Sequence, residues 1–389
     1  MACNFWRCSH YLEWLLDRQD VLRHRAGDLK ILGSEEEYQK VMIFFCGVIQ
    51  AFGEAVEVRQ QVIATAIVYF RRFYSRTSIK SIDPWLMAPA CLFLASKVEE
   101  FGVLSQKLLM TACSKVVSSQ YSKYFKDYGY PYRAQDVFEC EFILMEAMDC
   151  SLIVFHPYRP LVKFCEDLRP QMLGMTDCLL ERAWHVVNDS MRTDLCLHYP
   201  PYLIALGCIQ LAFISLEKDP PPDASDGTTD NSSFAIANRQ SKLSPLAVAE
   251  HWFAELTVNM EKVLEVSRHL LALYDLWQRF NPDVEMPNIL LKLPRPVIQP
   301  SQPQSQQQQQ QPPSNQSAPF QSRQQSVQSQ PTAQSGGGGA VSHSPNGTAM
   351  DQQLRQLNPA AGGGGGGGGH MQGRMGQPPY PFVAPMDPL

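Results

Sequence analysis

The sequence predicts an all-α protein: two tandem five-helix repeats, preceded by an N-terminal helix and followed by a disordered tail. The first observation is an internal repeat. Residues 84–95 read Pro84-Trp-Leu-Met-Ala88-Pro-Ala-Cys91-Leu-Phe-Leu-Ala95, and residues 201–212 read Pro201-Tyr-Leu-Ile-Ala205-Leu-Gly-Cys208-Ile-Gln-Leu-Ala212. Their offset, 201 − 84 = 117 residues, exceeds any solenoid unit and fits two similar small helical domains. The second is apolar spacing at helical period with start signals in place. The third is the lack of strand alternation. The β-branched run 151–155 is short, precedes His156-Pro157, and reads as the linker between repeats.

Taken in order, residues 1–33 form an N-terminal segment and helix. Ser34-Glu-Glu-Glu37 is a capping-box pattern and opens a helix to about residue 52. Residues 60–74 place Val62, Ala66, Tyr69 and Phe73 on one face. Asp83-Pro84 is an N-cap followed by proline at the first helical position, opening a helix to residue 99 or 100 that Pro89 should kink. Residues 134–148 complete the first repeat, which spans 34–152. The second, 153–293, offers helices at 177–192, 201–216 and 248–280, the last long enough to be two in tandem. Its polar stretch 219–244, with Pro220-Pro-Pro and Asp226-Gly, reads as a disordered insertion. Beyond residue 294 come Gln306 to Gln311 and Gly362 to Gly369; such a Gln/Gly/Pro-rich tail cannot bury enough apolar surface to offset chain entropy.

Composition narrows the function. The 389 residues are 44% hydrophobic and 18% charged, with net charge −5 and no basic run, which disfavours direct nucleic-acid binding. No apolar stretch of membrane-spanning length is expected, because charges interrupt the helical segments, and no secretory leader is read at the N-terminus. Eleven cysteines, none in a Cys-x-x-Cys pair, read as free buried thiols in a reducing compartment. There is no phosphate loop, His-Glu-x-x-His or other nucleophile or metal signature, so neither catalysis nor a cofactor is expected.

Two charges intrude on apolar stripes. Leu86, Ala90, Phe93 and Lys97 share one helical face, as do Val137, Glu141, Leu144 and Met148. A lone buried charge costs several kcal/mol, so each needs a partner. An internal Lys97–Glu141 pair, a snorkelling lysine and an interface with another protein are all open at this level.

The same residues carry a family resemblance. Two all-helical repeats, Ala95-Ser-Lys97-Val-Glu-Glu100 ending one helix and a glutamate inside the fifth helix resemble the cyclin family over residues 1–294. Asn4-Phe-Trp6, Ser9-His-Tyr11, Trp14, Arg59-Gln-Gln-Val-Ile-Ala-Thr65, Ser81-Ile-Asp-Pro84 and His156-Pro-Tyr-Arg-Pro160 narrow the likeness to the cyclin of the Mediator kinase module. The resemblance implies a nuclear, non-catalytic subunit that binds and activates a Mediator-associated cyclin-dependent kinase in RNA polymerase II transcription. It implies that Lys97 and Glu141, with Glu99 and Glu100 beside them, hold the kinase around its mobile C-helix. The Glu99 side chain could replace an activating phosphate. It also implies that Trp6, Asn188, Asp189 and Tyr274 line a groove for another Mediator kinase-module subunit.

Departures bound the likeness. The segment Tyr38-Gln-Lys-Val-Met-Ile-Phe-Phe45 lacks a Met-Arg-Ala-Ile-Leu-like substrate-docking patch, and Arg268-His-Leu-Leu271 lies inside a helix rather than in an N-terminal destruction signal. The alternatives are another transcriptional cyclin of the H, K, L or T kind, or a helical scaffold like general factor IIB. The latter would bring a zinc ribbon and a basic face, and Cys3 and Cys8 stand apart from any such motif.

Overall fold

A computed structural model describes residues 4–102, 104–125, 129–172, 175–218 and 244–293, all helix and connecting turns. The expected 219–244 insertion, up to residue 243, and the 294–389 tail lie outside the described residues. The helices are α1 Ser9–Leu12, α2 Arg18–Leu32, α3 Glu35–Ala55, α4 Gln60–Arg76, α5 Pro84–Val98, α6 Gln106–Gln120, α7 Ala134–Ala147, α8 Tyr158–Leu168, α9 Thr176–Ser190, α10 Leu195–His198, α11 Pro201–Lys218, α12 Pro245–Glu255, α13 Met260–Arg279 and α14 Pro282–Leu290.

The predicted start signals are in place, although the capping box read at Ser34 forms only by its serine half, with the Glu37 carboxylate accepting from Lys292 instead. The Ser34 hydroxyl accepts from the Glu37 amide, and Asp83 accepts from the Trp85 amide with Pro84 at the first position of α5. Each satisfies an amide that the helix itself leaves unpaired. Gly33 ends α2 at φ 98°, a left-handed conformation in which a side chain would be strained. The 248–280 segment divides, as foreseen, into α12 and α13, broken by Leu256 and Asn259, whose side chain caps α13.

Each repeat wraps around a nearly all-apolar central helix: α5 in the first, α11 in the second. In α5, residues Met87 to Ser96 are all buried. In α11, Gly207 lets α13 approach closely; a Cβ there would lie 2.5 Å from Val266 Cγ1. At 18 residues α11 is apolar enough to cross a membrane by length and composition, which corrects the expectation that every helix is interrupted by charge; its charges sit only at Glu217 and Lys218. Two-thirds of it is buried inside the fold, so that apolarity is explained by the core.

Three connections join the repeats. Buried Arg25 and Arg71, from α2 and α4, clasp Asp194 just before α10. The N-terminal segment runs along both repeats: Trp14 lies under the guanidiniums of Arg72 and Arg76, and the Leu16 amide donates to the Leu197 carbonyl at 2.7 Å. Finally α14 returns to α3, where Lys40 bridges Glu36 and Glu285, each at 2.7 Å.

Candidate functional site

The two intrusive charges meet. Asp83 and Pro84 start α5, α7 packs beside it, and Lys97 Nζ donates to both oxygens of Glu141, at 2.7 and 2.8 Å. Their environments differ: the Glu141 side chain is 7% exposed and that of Lys97 40%. The expectation that both lie on buried stripes is corrected for Lys97. It sits in the last turn of α5 and turns its ammonium over the Phe93 ring, 4.0 Å from the centroid, towards solvent. Immediately after Glu141, α7 exposes Phe142 (68%) and Ile143 (45%). The surface here thus combines a closed charge pair with uncovered apolar side chains.

Glu99 caps the end of α5, followed by Glu100 at φ 50°. Its carboxylate turns inward: Oε1 accepts from Thr65 Oγ1 and Oε2 from Gln61 Nε2, both at 2.5 Å. Burial raises the Glu99 pKa, and these two hydrogen bonds oppose the rise. Thr65 also lies 2.7 Å from His156 Nε2. His156, which follows the linker between the repeats, is thus buried and hydrogen-bonded.

The four residues assigned to a second groove are not gathered at one point. The Asp189 carboxylate accepts from the Tyr274 hydroxyl at 3.2 Å, and burial raises the pKa of both groups. Asn188 faces the first repeat instead, accepting from the Tyr158 hydroxyl at 2.8 Å and from Gln60 at 3.4 Å. Both lie in the last turn of α9, which ends at Ser190, two residues short of the expected 192. Trp6 is 53% exposed and packs against Phe5, Tyr11 and Tyr202.

Sequence reasoning missed the Asp194 clasp. Asp194 accepts two bonds from Arg25 (2.6 and 2.8 Å), one from Arg71 (2.8 Å) and one from Gln39 (2.9 Å). Burial alone would raise its pKa, but the charge and hydrogen bonds of Arg25, then Arg71, outweigh that and hold it well below the usual carboxylate range. Arg71 further donates to the carbonyls of Met191 and Arg192. The available signal was Arg71-Arg72 in the middle of an otherwise apolar helix. Every cysteine among the described residues is free, most of them buried, with Cys150 exposed. Among the described residues no group of His, Cys, Asp and Glu is placed to hold a metal.

Comparison with known proteins agrees with this architecture. The cyclin N-terminal domain family matches residues 28–153, and a cyclin C-terminal domain family matches residues 156–220. The chain is 49% identical to cyclin-C of Rattus norvegicus, over 77% of this chain and 94% of that protein. It is 46% identical to cyclin-C of Drosophila pseudoobscura pseudoobscura, over 76% of this chain and 98% of that protein. In fold it resembles a chain of the CAK complex from Chaetomium thermophilum bound to ATP-gamma-S, with a TM-score of 0.50 and 17% identity over 74% of this chain and 87% of that one. Two helical repeats matched by both cyclin domain families, and near-half identity over almost the whole length of these relatives, lead to one conclusion: the chain belongs to the cyclin family, among its cyclin C-like members.

Proposed function

We propose that this chain is the non-catalytic regulatory subunit of a Mediator-associated cyclin-dependent kinase, acting in the nucleus on RNA polymerase II transcription. The observation that carries the reading is the Lys97–Glu141 pair at the surface beside uncovered Phe142 and Ile143. A charge pair desolvated at the centre of an interface fixes register and orientation, while flanking apolar side chains supply the area-dependent part of affinity. The pair being closed in the free chain supports a preorganised anchor, which lowers the ordering cost of association. The fold then works by rigidity: two repeats, 34–152 and 153–293, present one surface that favours the kinase conformation with its C-helix inward. A difference of roughly 4–5 kcal/mol between conformations converts a mostly inactive kinase to a mostly active one.

Glu99 and Glu100 border the same surface, and Glu99 contributes a negative charge in a partly desolvated setting. Trp6, Asn188, Asp189 and Tyr274 serve a second contact with a Mediator kinase-module subunit, of which Trp6 supplies the exposed aromatic anchor. The test is co-purification of wild type and the Lys97→Ala plus Glu141→Ala variant with a Mediator-type kinase, with circular dichroism of each. Loss of binding by a still-helical double variant is expected. Retained binding with a lowered melting temperature would return the pair to a purely structural role.

A further inference from the structure

We propose that His10 and His156 hold a single water molecule between them, and that this water completes a one-directional hydrogen-bonded chain from the N-terminal segment to Glu99.

The two imidazoles line one small cavity at the junction of the N-terminal segment, the inter-repeat linker and both repeats, with Phe155, Met191 and Cys196 among its walls and room for about one water. His10 is 2% and His156 9% exposed. Each has one ring nitrogen engaged and one without a partner: His10 Nε2 and His156 Nδ1. Burial first, and then the nearby Arg72 cation, lower both pKa values to about 3, so both rings are neutral and each carries one N–H and one lone pair.

The neighbours decide which nitrogen holds the proton. The Phe155 amide donates to His10 Nδ1 at 3.0 Å, so the His10 proton is on Nε2, the nitrogen without a partner. Ionised Glu99 can only accept, and it takes the one proton of the Thr65 hydroxyl. Thr65 Oγ1 must therefore accept from His156 Nε2–H at 2.7 Å, which leaves a lone pair on His156 Nδ1. The two rings that line the cavity thus carry one orphan donor and one orphan acceptor. A water accepts from the first and donates to the second, whereas a dry cavity would leave both buried groups unsatisfied. Every donor then points the same way: Phe155 amide, His10, water, His156, Thr65, Glu99. The Glu99 carboxylate fixes the direction, and the N-terminal segment in turn helps to fix where Glu99 points. His10, His156 and Thr65 are positioning residues for Glu99; this last step rests on the proposed kinase-facing role of Glu99.

The test uses the full chain labelled with 15N-histidine, with assignments from His10→Gln and His156→Gln. Both rings are expected as neutral, Nε2-protonated tautomers from pH 7 down to pH 5, with a cross-peak from the His10 Nε2 proton to a long-lived water. An Nδ1-protonated ring, or no such water in this spectrum and in a high-resolution crystal structure, overturns the chain. Thr65→Val, close in shape, removes the acceptor of His156; loss of its slowly exchanging Nε2 proton is expected, and an unchanged spectrum overturns the proposal. In the reconstituted kinase complex, Thr65→Val is expected to lower activity as far as Glu99→Gln does, with no further loss in the double variant. If the tautomers and water are found but both variants activate the kinase like wild type, the chain stands and the kinase-facing role of Glu99 falls.

Discussion

Replacing Asp194 by alanine isolates one of the contacts that join the repeats. It removes the acceptor of four hydrogen bonds, two from Arg25, one from Arg71 and one from Gln39. The Arg25 and Arg71 side chains are 2% and 0% exposed, and Glu35, 3.4 Å from Arg25, is the remaining carboxylate paired with either of them. Deleting one partner of a buried pair leaves an uncompensated charge and costs about 3–5 kcal/mol. For a folded region of this size, about 2 °C per kcal/mol converts that to a melting temperature lowered by ~6–10 °C. Calorimetry of wild type and Asp194→Ala at pH 7.5 measures it. The pH dependence adds a sign. The folded pKa of Asp194 lies below its ordinary value of 3.8, so its contribution is present above 3.8 and is lost as pH falls through lower values. The gap between wild type and variant should therefore narrow below pH 3.8. In a double-mutant cycle, Arg71→Met should cost less on the Asp194→Ala background than on wild type. A melting shift under ~2 °C, or strict additivity, would refute the clasp as a linked unit.

Arg72 should behave in the opposite way to its neighbour: it donates one bond, to the Ser151 carbonyl, while its Nε and Nη2 have no partner, so Arg72→Met should change stability by under ~1 kcal/mol in urea titrations, against ~3–5 for Arg71→Met. Gly207→Ala should cost ~1–3 kcal/mol by forcing α11 from α13, with part of the loss recovered by Val266→Ala in the same melting assay. His10 and His156 are held neutral to about pH 3 when folded but protonate near 6.5 when unfolded, so stability falls as pH drops between those values. Between pH 6.5 and 5 each ring should remove ~2 kcal/mol, and His156→Gln should show a correspondingly smaller loss in urea midpoints at the two pH values.

Local chemistry was legible in the sequence and distant pairing was not. Ser34 and Asp83 act on amides three and two residues away, and Pro84 presets the first helical position, so their helices could be placed directly. Lys97 and Glu141 could be singled out because a charge contradicts the apolar stripe on which it sits, although which of three partners each would take stayed open. Asp194 gave no such contradiction. It lies in a polar stretch between helices, and its partners Arg25 and Arg71 are 169 and 123 residues away. Periodicity along one helix cannot pair groups across that distance. The enclosure of His156 was hidden for a related reason: only the approach of Thr65 from α4 shows that the imidazole is hydrogen-bonded and buried.

The Leu16 to Leu197 hydrogen bond sets an order of events during synthesis. The two partners are 197 − 16 = 181 residues apart, so the segment around Leu16 cannot reach its final place until the second repeat has followed it. At about 5–20 residues per second that interval is roughly 10–40 s. Throughout it the Leu16 amide lacks its final partner, while Trp14 can already settle under Arg72 and Arg76 of the first repeat.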